Sequence, residues 1–348
     1  KWLDGRNATM AMLCKTAVAR KVLEHAWRHE VGLGSAEMYL IDAKASFGAS
    51  VDACLLVCSF SDSARSHDST VYGNISAERP TGTIGYHEGR LIADVNAYER
   101  SKHLQAEDAY PWRSGIKHDC AKVMELYREG ERYRNGFHEL VELEGEHVYP
   151  MLKGSDVARG RAESPKRWML VTQRNVGEDT AAIRDRSPRT WEYLQSHADR
   201  LNRRGSSIYR KRPPFSIFGV GEYAFAPWKI AISGLHKKLE FVPVGSFAGK
   251  PVVLDDTCYF LPCETEREAH GITGLLNSGT AREFFSAFIF WDAKRPVTAE
   301  VLRRLDLMAL ARELGREALV AEFSSRGTDR AAVTDTPRLV QRSLFGAD

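Results

Sequence analysis

The sequence has no long apolar stretch and only a small excess of positive charge. No run of about 18 apolar residues occurs, so no segment is predicted to span a membrane. The formal net charge of +3 is too small to identify a nucleic-acid-binding protein by itself. The chain shows no secretory signal and begins with Lys1 rather than Met. We therefore expect a cytoplasmic protein whose chain starts inside a larger gene product.

Cysteines are few and lack the spacing of a metal site. The six cysteines include no CxxC pair, a spacing that structural zinc sites commonly use. Cys54 and Cys58 fall in an apolar, strand-like run and are expected to be buried as small hydrophobic residues. The sequence therefore predicts reduced thiols and no bound metal.

The residues that are present indicate a folded chain with more than one domain. Hydrophobic residues make up 43% of the sequence, and seven tryptophans are among them. A length of 348 residues favours two domains.

The first sixty residues have the pattern of an α/β sheet. Strands are predicted at residues 8–14, 37–41 and 51–60, with a helix at 18–30. The third strand is nearly continuous in apolar residues, which is typical of a strand covered on both faces, so we expect it in the centre of the sheet. A sheet this small predicts that residues 1–60 are the end of a doubly wound domain whose earlier part is missing.

The rest of the chain has a mixed helix and strand pattern. Residues 61–80 are polar and rich in serine, which predicts a linker. The last thirty residues are poor in apolar side chains, which predicts partial disorder. The other predicted elements are a helix at 119–128, strands at 168–173 and 251–254, a helix at 188–203 with Ser187 as N-cap, and a helix after Pro296 with Thr298 as N-cap.

One stretch combines basic and aromatic side chains. From Arg200 to Lys238 there are nine Lys or Arg residues and a single acid, Glu222. Cations neutralise phosphates, and flat rings pack against sugars or bases. The stretch therefore indicates nucleic-acid binding, with a solvated basic face as the alternative.

Four motifs in the C-terminal half occur in a defined order. They are YPMLKGSD at 149–156, SIYRKRPPFSIFGVGEYAFAPWKIAISGL at 207–235, VVLDDTCYFL at 252–261 and GLLNS at 274–278. In this order they resemble the target-recognition region of the TaqI-like, gamma-class adenine-N6 DNA methyltransferases. With the N-terminal piece, the resemblance covers most of residues 8–315.

The segment IDAKASFGASVDACLLVC at 41–58 is similar to the last part of that family's catalytic domain. The resemblance implies that Phe47 stacks on the adenine after it has left the duplex, because a ring face replaces part of the lost base stacking. The alternative is that Phe47 is an ordinary core residue.

The resemblance implies a Rossmann-like α/β remnant at 1–60, a mixed α+β recognition region at 61–315 and a tail at 316–348. It also implies double-stranded DNA as partner and S-adenosylmethionine as cofactor. The expected DNA contacts mainly hold phosphates, with one or two reading guanine edges. They are Arg113, Lys117, His118, Lys153, Ser207, Tyr209, Arg210, Lys211, Arg212, Trp228, Lys229, Lys237 and Lys238.

Two motifs of the family are missing from the sequence. There is no glycine-rich turn for the methyl donor, and no Asn-Pro-Pro-aromatic tetrad. The sequence Arg212-Pro213-Pro214-Phe215 does not replace the tetrad, because arginine lacks the hydrogen-bond acceptor that the adenine amino group requires. The chain is therefore expected to be inactive without its N-terminal part or a separate methyltransferase subunit.

Two alternatives stay open at this point. The chain is a non-catalytic DNA specificity module, or it is a Mg²⁺-dependent nuclease of the PD-(D/E)xK type. For the nuclease, Asp292-Ala293-Lys294 follows an apolar run, and Asp255 and Asp256 supply upstream acids. A second DxK at 42–44 shows that this pattern also occurs by chance.

Overall fold

Three β-sheets organise the molecule. The computed structural model describes residues 8–61, 65–107 and 110–321, within which two sheets have six strands and one has four. No helix among these residues is long and apolar enough to cross a membrane. The disorder predicted for the last thirty residues mostly concerns residues 322–348, which lie outside the described part of the chain.

The first sheet is built from the N-terminal residues and has the order β1-β3-β2-β4-β5-β6. Its strands are β1 (Ala8–Lys15), β2 (Leu33–Asp42), β3 (Asp52–Phe60), β4 (Asp68–Tyr72), β5 (Pro80–His87) and β6 (Arg90–Ile92). Helix α1 (Thr16–Arg28) follows β1, and the short helix α2 (Ala43–Phe47) follows β2.

The predicted central position of β3 is confirmed. β3 lies between β1 and β2 and is antiparallel to both. Its residues Cys54, Leu56 and Cys58 are buried, and Leu23 and Trp27 of α1 belong to the same core cluster. The two cysteines therefore fill the core, as expected from their apolar surroundings.

The linker expected at residues 61–80 contains a strand instead. β4 pairs in parallel with β2 and antiparallel with β5, so the first sheet continues to Ile92. The polar sequence of β4 is compatible with a strand because pairing on both sides satisfies its backbone, while most of its side chains stay partly exposed.

The second sheet has the order β10-β9-β8-β12-β11-β15, and the third has the order β14-β13-β16-β7. The strands of the second sheet are β8 (Glu125–Glu129), β9 (Arg132–Arg134), β10 (Leu140–Val141), β11 (Val148–Leu152), β12 (Arg167–Leu170) and β15 (Val253–Leu254). Those of the third are β7 (Arg113–Ser114), β13 (Trp228–Ser233), β14 (Val242–Val244) and β16 (Cys258–Cys263).

Short helices connect and cover these two sheets. They are α3 (Val95–Ser101), α4 (Ala121–Met124), α5 (Gly154–Val157), α6 (Ile183–Arg186), α7 (Pro188–Ser196), α8 (Ala198–Asn202), α9 (Glu266–Leu276), α10 (Gly279–Ser286), α11 (Ala299–Leu302) and α12 (Leu307–Glu313). The helix predicted at 119–128 is wrong in its second half, because β8 begins at Glu125 and pairs with β12.

The predicted helix ends have different outcomes. Thr298 caps α11, with its side chain accepting a hydrogen bond from the Val301 amide. Ser187 does not cap α7 through its side chain, and its buried hydroxyl has no hydrogen-bond partner among the described residues. The helix predicted at 188–203 is divided at His197 into α7 and α8.

The first sheet is joined to the C-terminal part by a polar contact. Arg20 of α1 lies 2.5 Å from a carboxylate oxygen of Asp292, and the hydroxyl of Thr16 donates to the same oxygen. The guanidinium of Arg20 also lies 4.5 Å from the centre of the Phe290 ring. These contacts hold α1 against the loop that follows α10.

Candidate nucleic-acid interface

Several loops cross at very short distances near the ends of the second and third sheets. Lys117 and Phe218 exchange backbone hydrogen bonds of 2.8 and 3.0 Å. A Cβ atom on Gly115 would lie 2.1 Å from the carbonyl oxygen of Asp255, and one on Gly219 would lie 2.4 Å from the carbonyl oxygen of Gly115. Only glycine permits this approach, so the two glycines fix the loops against each other.

The loop before Gly219 is fixed by hydrogen bonds to its carbonyl groups. Thr180 donates to the carbonyl of Pro214 and Thr172 to that of Phe215, both at 2.7 Å. Lys211 and Phe215 have positive φ angles of 59° and 61°, which non-glycine residues adopt only when their surroundings impose them. The backbone from Lys211 to Phe215 is therefore held in one shape.

A stack of two rings between two arginines, the rings themselves packed edge-on, supports the same loop. The Arg204 guanidinium lies 3.6 Å from the Tyr209 ring centre, and Tyr209 packs edge-on against Phe218 at 5.4 Å. On the other side, the Arg212 guanidinium lies 5.8 Å from the Phe218 ring centre. Arg204 also donates to the carbonyl of Ser216 at 2.7 Å, and its burial lowers its pKa. Arg204 therefore stabilises the loop through contacts inside the protein.

Six of the predicted DNA contacts are exposed. Lys238 forms an ion pair with Glu240 of the same chain. The exposed residues are Ser207, Arg210, Lys211, Arg212, Lys237 and Lys238. Tyr209, in the stack, is half-buried, and burial raises its pKa well above its ordinary value.

Lys229 is not a surface residue, contrary to the prediction. It lies in β13 with 1% of its surface exposed, and its ammonium group donates to the carbonyl of Ala226 at 2.7 Å. Burial lowers the pKa of Lys229 to about 7. A side chain in this position cannot reach a phosphate, so we remove Lys229 from the interface.

His118 is also buried, so the prediction that it faces a phosphate is wrong. Its exposed fraction is 7%, and its Nδ1 accepts a hydrogen bond from the Cys120 amide. On the other side of the ring, Nε2 lies 3.5 Å from Glu125, which is also 2.5 Å from the ammonium of Lys153. Burial opposes ionisation of Glu125, but hydrogen bonds with His118 and Lys153 hold its pKa below the ordinary value.

Three other predicted contacts have partners inside the protein. Lys117 pairs with Asp119 at 2.6 Å and with Asp256 at 3.7 Å. Arg113 lies 4.7 Å from the Tyr223 ring centre, and burial lowers its pKa. Trp228 is half-buried and packs edge-on against the ring of His270 at 5.8 Å. Each of them would have to rearrange to contact DNA.

The sequence prediction missed a second group of exposed cations. Arg159, Arg161 and Lys166 are exposed and have no ion-pair partner among the described residues. They follow α5, which is fixed to the same frame because the Gly154 amide donates to the Thr257 hydroxyl at 2.7 Å. The sequence signal was present, since these cations cluster around the turn at Gly160.

Phe47 is not a core residue. It ends α2 with 59% of its surface exposed, and Gly48 after it adopts a φ angle of 68°. Asp42 caps the helix by accepting from the amides of Lys44 and Ala45 at 3.0 Å. The ring is therefore presented to solvent on a short, capped turn beside a concavity formed by residues 41–44 and 49–52.

The acids of the nuclease hypothesis are engaged in other contacts. Hydrogen bonds from Arg20 and Thr16 outweigh the effect of burial and lower the pKa of Asp292. Asp255 is 5% exposed and accepts from the amide and hydroxyl of Thr257. Among residues 8–61, 65–107 and 110–321, no group of three or more His, Cys, Asp or Glu side chains is arranged to hold a metal ion. The geometry therefore gives this hypothesis no support.

The strand-to-helix turns of the first sheet do not fit a methyl-donor cradle. Such a cradle requires glycine where the backbone approaches the ligand. The turn from β1 to α1 contains Lys15 and Thr16 without glycine, and Asp292 occupies the first turn of α1. At the turn from β2 to α2, the Asp42 carboxylate occupies the helix start. Neither of these two turns therefore has the backbone of a methyl-donor cradle.

Comparison with known proteins gives two informative similarities, although no family model matches the chain. The chain is 45% identical over 311 residues to the Type II methyltransferase M.NspV of Nostoc sp. (strain ATCC 29411 / PCC 7524). That match covers 89% of this chain but only 65% of the relative, which is less than two thirds of its length.

The second similarity is structural. The Type IIL restriction-modification enzyme MmeI, solved in complex with DNA, superposes with a TM-score of 0.50 at 13% identity, over 92% of this chain and 42% of that one. The chain is thus related in sequence to a Type II methyltransferase and shares a mixed α and β fold with a restriction-modification enzyme.

Proposed function

We propose that this chain is the part of a site-specific adenine-N6 DNA methyltransferase that holds double-stranded DNA and recognises the target sequence. The observation that carries this proposal is the set of exposed cations at 210–212, on the loop that Gly219 locks against Gly115, together with the exposed Lys237 and Lys238 after β13. Rigid loops lose little conformational entropy on binding, so their cations are effective phosphate ligands.

The relative M.NspV gives the proposal its enzymatic context, since it is a Type II methyltransferase. A Type II methyltransferase takes its methyl group from S-adenosylmethionine. The described turns do not form a donor site, so we place that site in an N-terminal part of the enzyme or in a separate subunit. In this arrangement the first sheet, through Ile92, belongs beside the catalytic part, and the two later sheets form the recognition region.

Phe47 supports the assignment of a flipped base. Its ring is exposed on a short helix beside a concavity, so a face of the ring is accessible to a base that has left the duplex. We propose that it stacks on the target adenine once the methyl-donor part is present.

The test is the salt dependence of DNA binding, measured by fluorescence anisotropy with a labelled duplex. Each phosphate contact that is lost should flatten the slope of log affinity against log salt by about 0.9. Replacing Lys237 and Lys238 by alanine should therefore weaken binding to all sequences and flatten the slope by about two units. A matched control replaces Lys21 on α1 and Arg312 on α12, which are exposed cations outside the interface.

If the DNA affinity of the unmodified chain does not change with salt concentration, the basic loops are only a solvated surface. An equal loss of slope in the control variant would show that the effect reflects net charge rather than the interface.

A separate, non-catalytic specificity subunit is the second candidate. The observation that favours it is the lack of a donor cradle at the turns of the first sheet. The mass of the native gene product distinguishes the candidates, because a single enzyme must be long enough to include the donor site.

A further inference from the structure

The guanidinium of Arg212 lies beside an aromatic ring and close to a neighbouring loop, and its hydrogen-bond donors are unused within the described part of the chain. Its guanidinium lies 5.8 Å from the Phe218 ring centre, within the usual range of a cation–π contact. On the neighbouring loop, a Cβ atom on Gly177 would be 3.4 Å from Arg212 Nη1. Within the described part of the chain, the side chain of Arg212 makes neither a hydrogen bond nor an ion pair, and it is exposed.

The backbone at Arg212 is restricted as well. Arg212 precedes two prolines, and a residue before proline is largely excluded from the helical region. The carbonyl of Pro213 accepts a hydrogen bond from the Ser216 hydroxyl at 2.6 Å, and that of Pro214 accepts from Thr180 at 2.7 Å. The backbone that carries Arg212 is therefore restricted, and the Phe218 ring is the contact that orients its guanidinium.

The neighbouring cations differ from Arg212 in this respect. Arg210 is exposed and has no ring or ion-pair contact among the described residues. Lys237 and Lys238 carry compact charges without a planar fork of donors. Flexible side chains and point charges suit phosphates, whereas a positioned guanidinium suits a base edge that offers two acceptors in one plane.

We propose that Arg212 determines sequence specificity by donating two hydrogen bonds to O6 and N7 of a guanine in the major groove. This inference rests on the proposed function, since it requires that the loop binds duplex DNA. Arg210, Lys211, Lys237 and Lys238 then contact phosphates and contribute affinity that does not depend on sequence.

The experiment selects bound sequences from a random duplex library and compares the unmodified chain with Arg212→Lys and with Arg312→Lys, which alters an exposed cation outside the interface. Both variants keep their charge, so both should keep the affinity for the unselected library and its salt slope. We expect the unmodified chain to enrich a sequence that contains guanine. Arg212→Lys should lose about 10- to 100-fold of the preference at one G·C position only, while Arg312→Lys keeps the full preference.

Three results would overturn the assignment. They are an Arg212→Lys variant with the full preference at every position, equal losses in the two variants, and salt-dependent binding of the unmodified chain with no enriched sequence. A chain that binds no duplex at all would instead refute the proposed function, which separates the two failures.

Discussion

Lys229 lies in β13, which is buried from this residue onward, whereas Lys237 and Lys238 are exposed. Its ammonium donates to the carbonyl of Ala226, and burial lowers its pKa from 10.5 to about 7. Between these two pH values the unfolded chain binds a proton that the folded chain does not bind. The free energy of unfolding should therefore fall by about 1.4 kcal/mol for each pH unit from 10.5 down to 7, and then stay level.

Lys229→Met should remove this pH dependence and raise stability at pH 7, because a thioether side chain is buried without a desolvation cost. The measurement is urea unfolding at several pH values between 7 and 10, with the exposed Lys237→Met as control. If the slope between pH 7 and 10 is the same in Lys229→Met and the unmodified chain, Lys229 is not its source.

Phe47 gives the second prediction at this scale. Its ring is mostly exposed, so Phe47→Ala should leave the melting temperature nearly unchanged, whereas removing a core phenylalanine costs about 3–5 kcal/mol. In the complete enzyme, loss of the stacking should slow adenine methylation about 10- to 100-fold. Phe47→Tyr keeps a ring face and should keep most of the activity. A large fall in melting temperature, with Tyr also poorly tolerated, would contradict the stacking role.

Sequence reasoning could not separate these residues completely. The charge and aromatic content of the sequence located the basic loops, but it did not distinguish the buried Lys229 from the exposed Lys237. The signal for Lys229 was its place inside the apolar run WKIAIS, which forms β13 and is buried from Lys229 onward. His118 gave no such signal, because it stands between the charged residues Lys117 and Asp119 and its partner Glu125, which also pairs with Lys153, belongs to another segment.

Among the elements, the loop after α5 extends the basic surface beyond the predicted stretch. If Arg159, Arg161 and Lys166 contact phosphates, replacing all three by alanine should flatten the salt slope by about two to three units. The sequences enriched from a random library should stay the same, because phosphates carry no base information. A triple variant of Lys21, Arg184 and Arg312 serves as the control. An unchanged slope would place this loop outside the footprint on DNA.

Elements that follow from the hydrophobic pattern of their own sequence were predictable, whereas elements that depend on pairing with another segment were not. The nearly continuous apolar run of β3 correctly predicted a central strand. β4 has a polar sequence, and its strand conformation follows from pairing with β2 and β5. Likewise, the pairing of β8 with β12 decides the structure after Met124, where local spacing favoured a helix.

For the whole molecule, the contact between Arg20 and Asp292 joins the first sheet to the C-terminal part. Both side chains are largely buried, at 11% and 23% exposure. Asp292→Asn should destabilise the protein by about 1–3 kcal/mol, because it leaves the Arg20 charge without a counter-ion. The double variant Arg20→Met, Asp292→Leu removes both charges and should recover much of the loss. Calorimetry measures both, and an Asp292→Asn variant as stable as the unmodified chain would contradict this role.

The mixed α and β class was predictable at this scale, but the arrangement of the sheets was not. The resemblance to a DNA methyltransferase agrees, at this coarser level, with the relationship to a Type II methyltransferase. The DxK pattern at Asp292 suggested metal chemistry, but its carboxylate instead binds α1, which lies far away in sequence. Only the folded chain brings these residues together.

The glycine crossing at Gly115 and Gly219 has a consequence for how this protein acquires new targets. The crossing holds the loops through backbone atoms, while the exposed tips contribute only side chains. Exchanging Arg212 should therefore alter which base is read, and exchanging the neighbouring lysines and Arg210 should alter only the affinity, in both cases without disturbing the scaffold. Mutational drift should be rapid at the tips and nearly absent at the two glycines. Such a separation allows a lineage to switch its recognition sequence in single steps while remaining folded throughout.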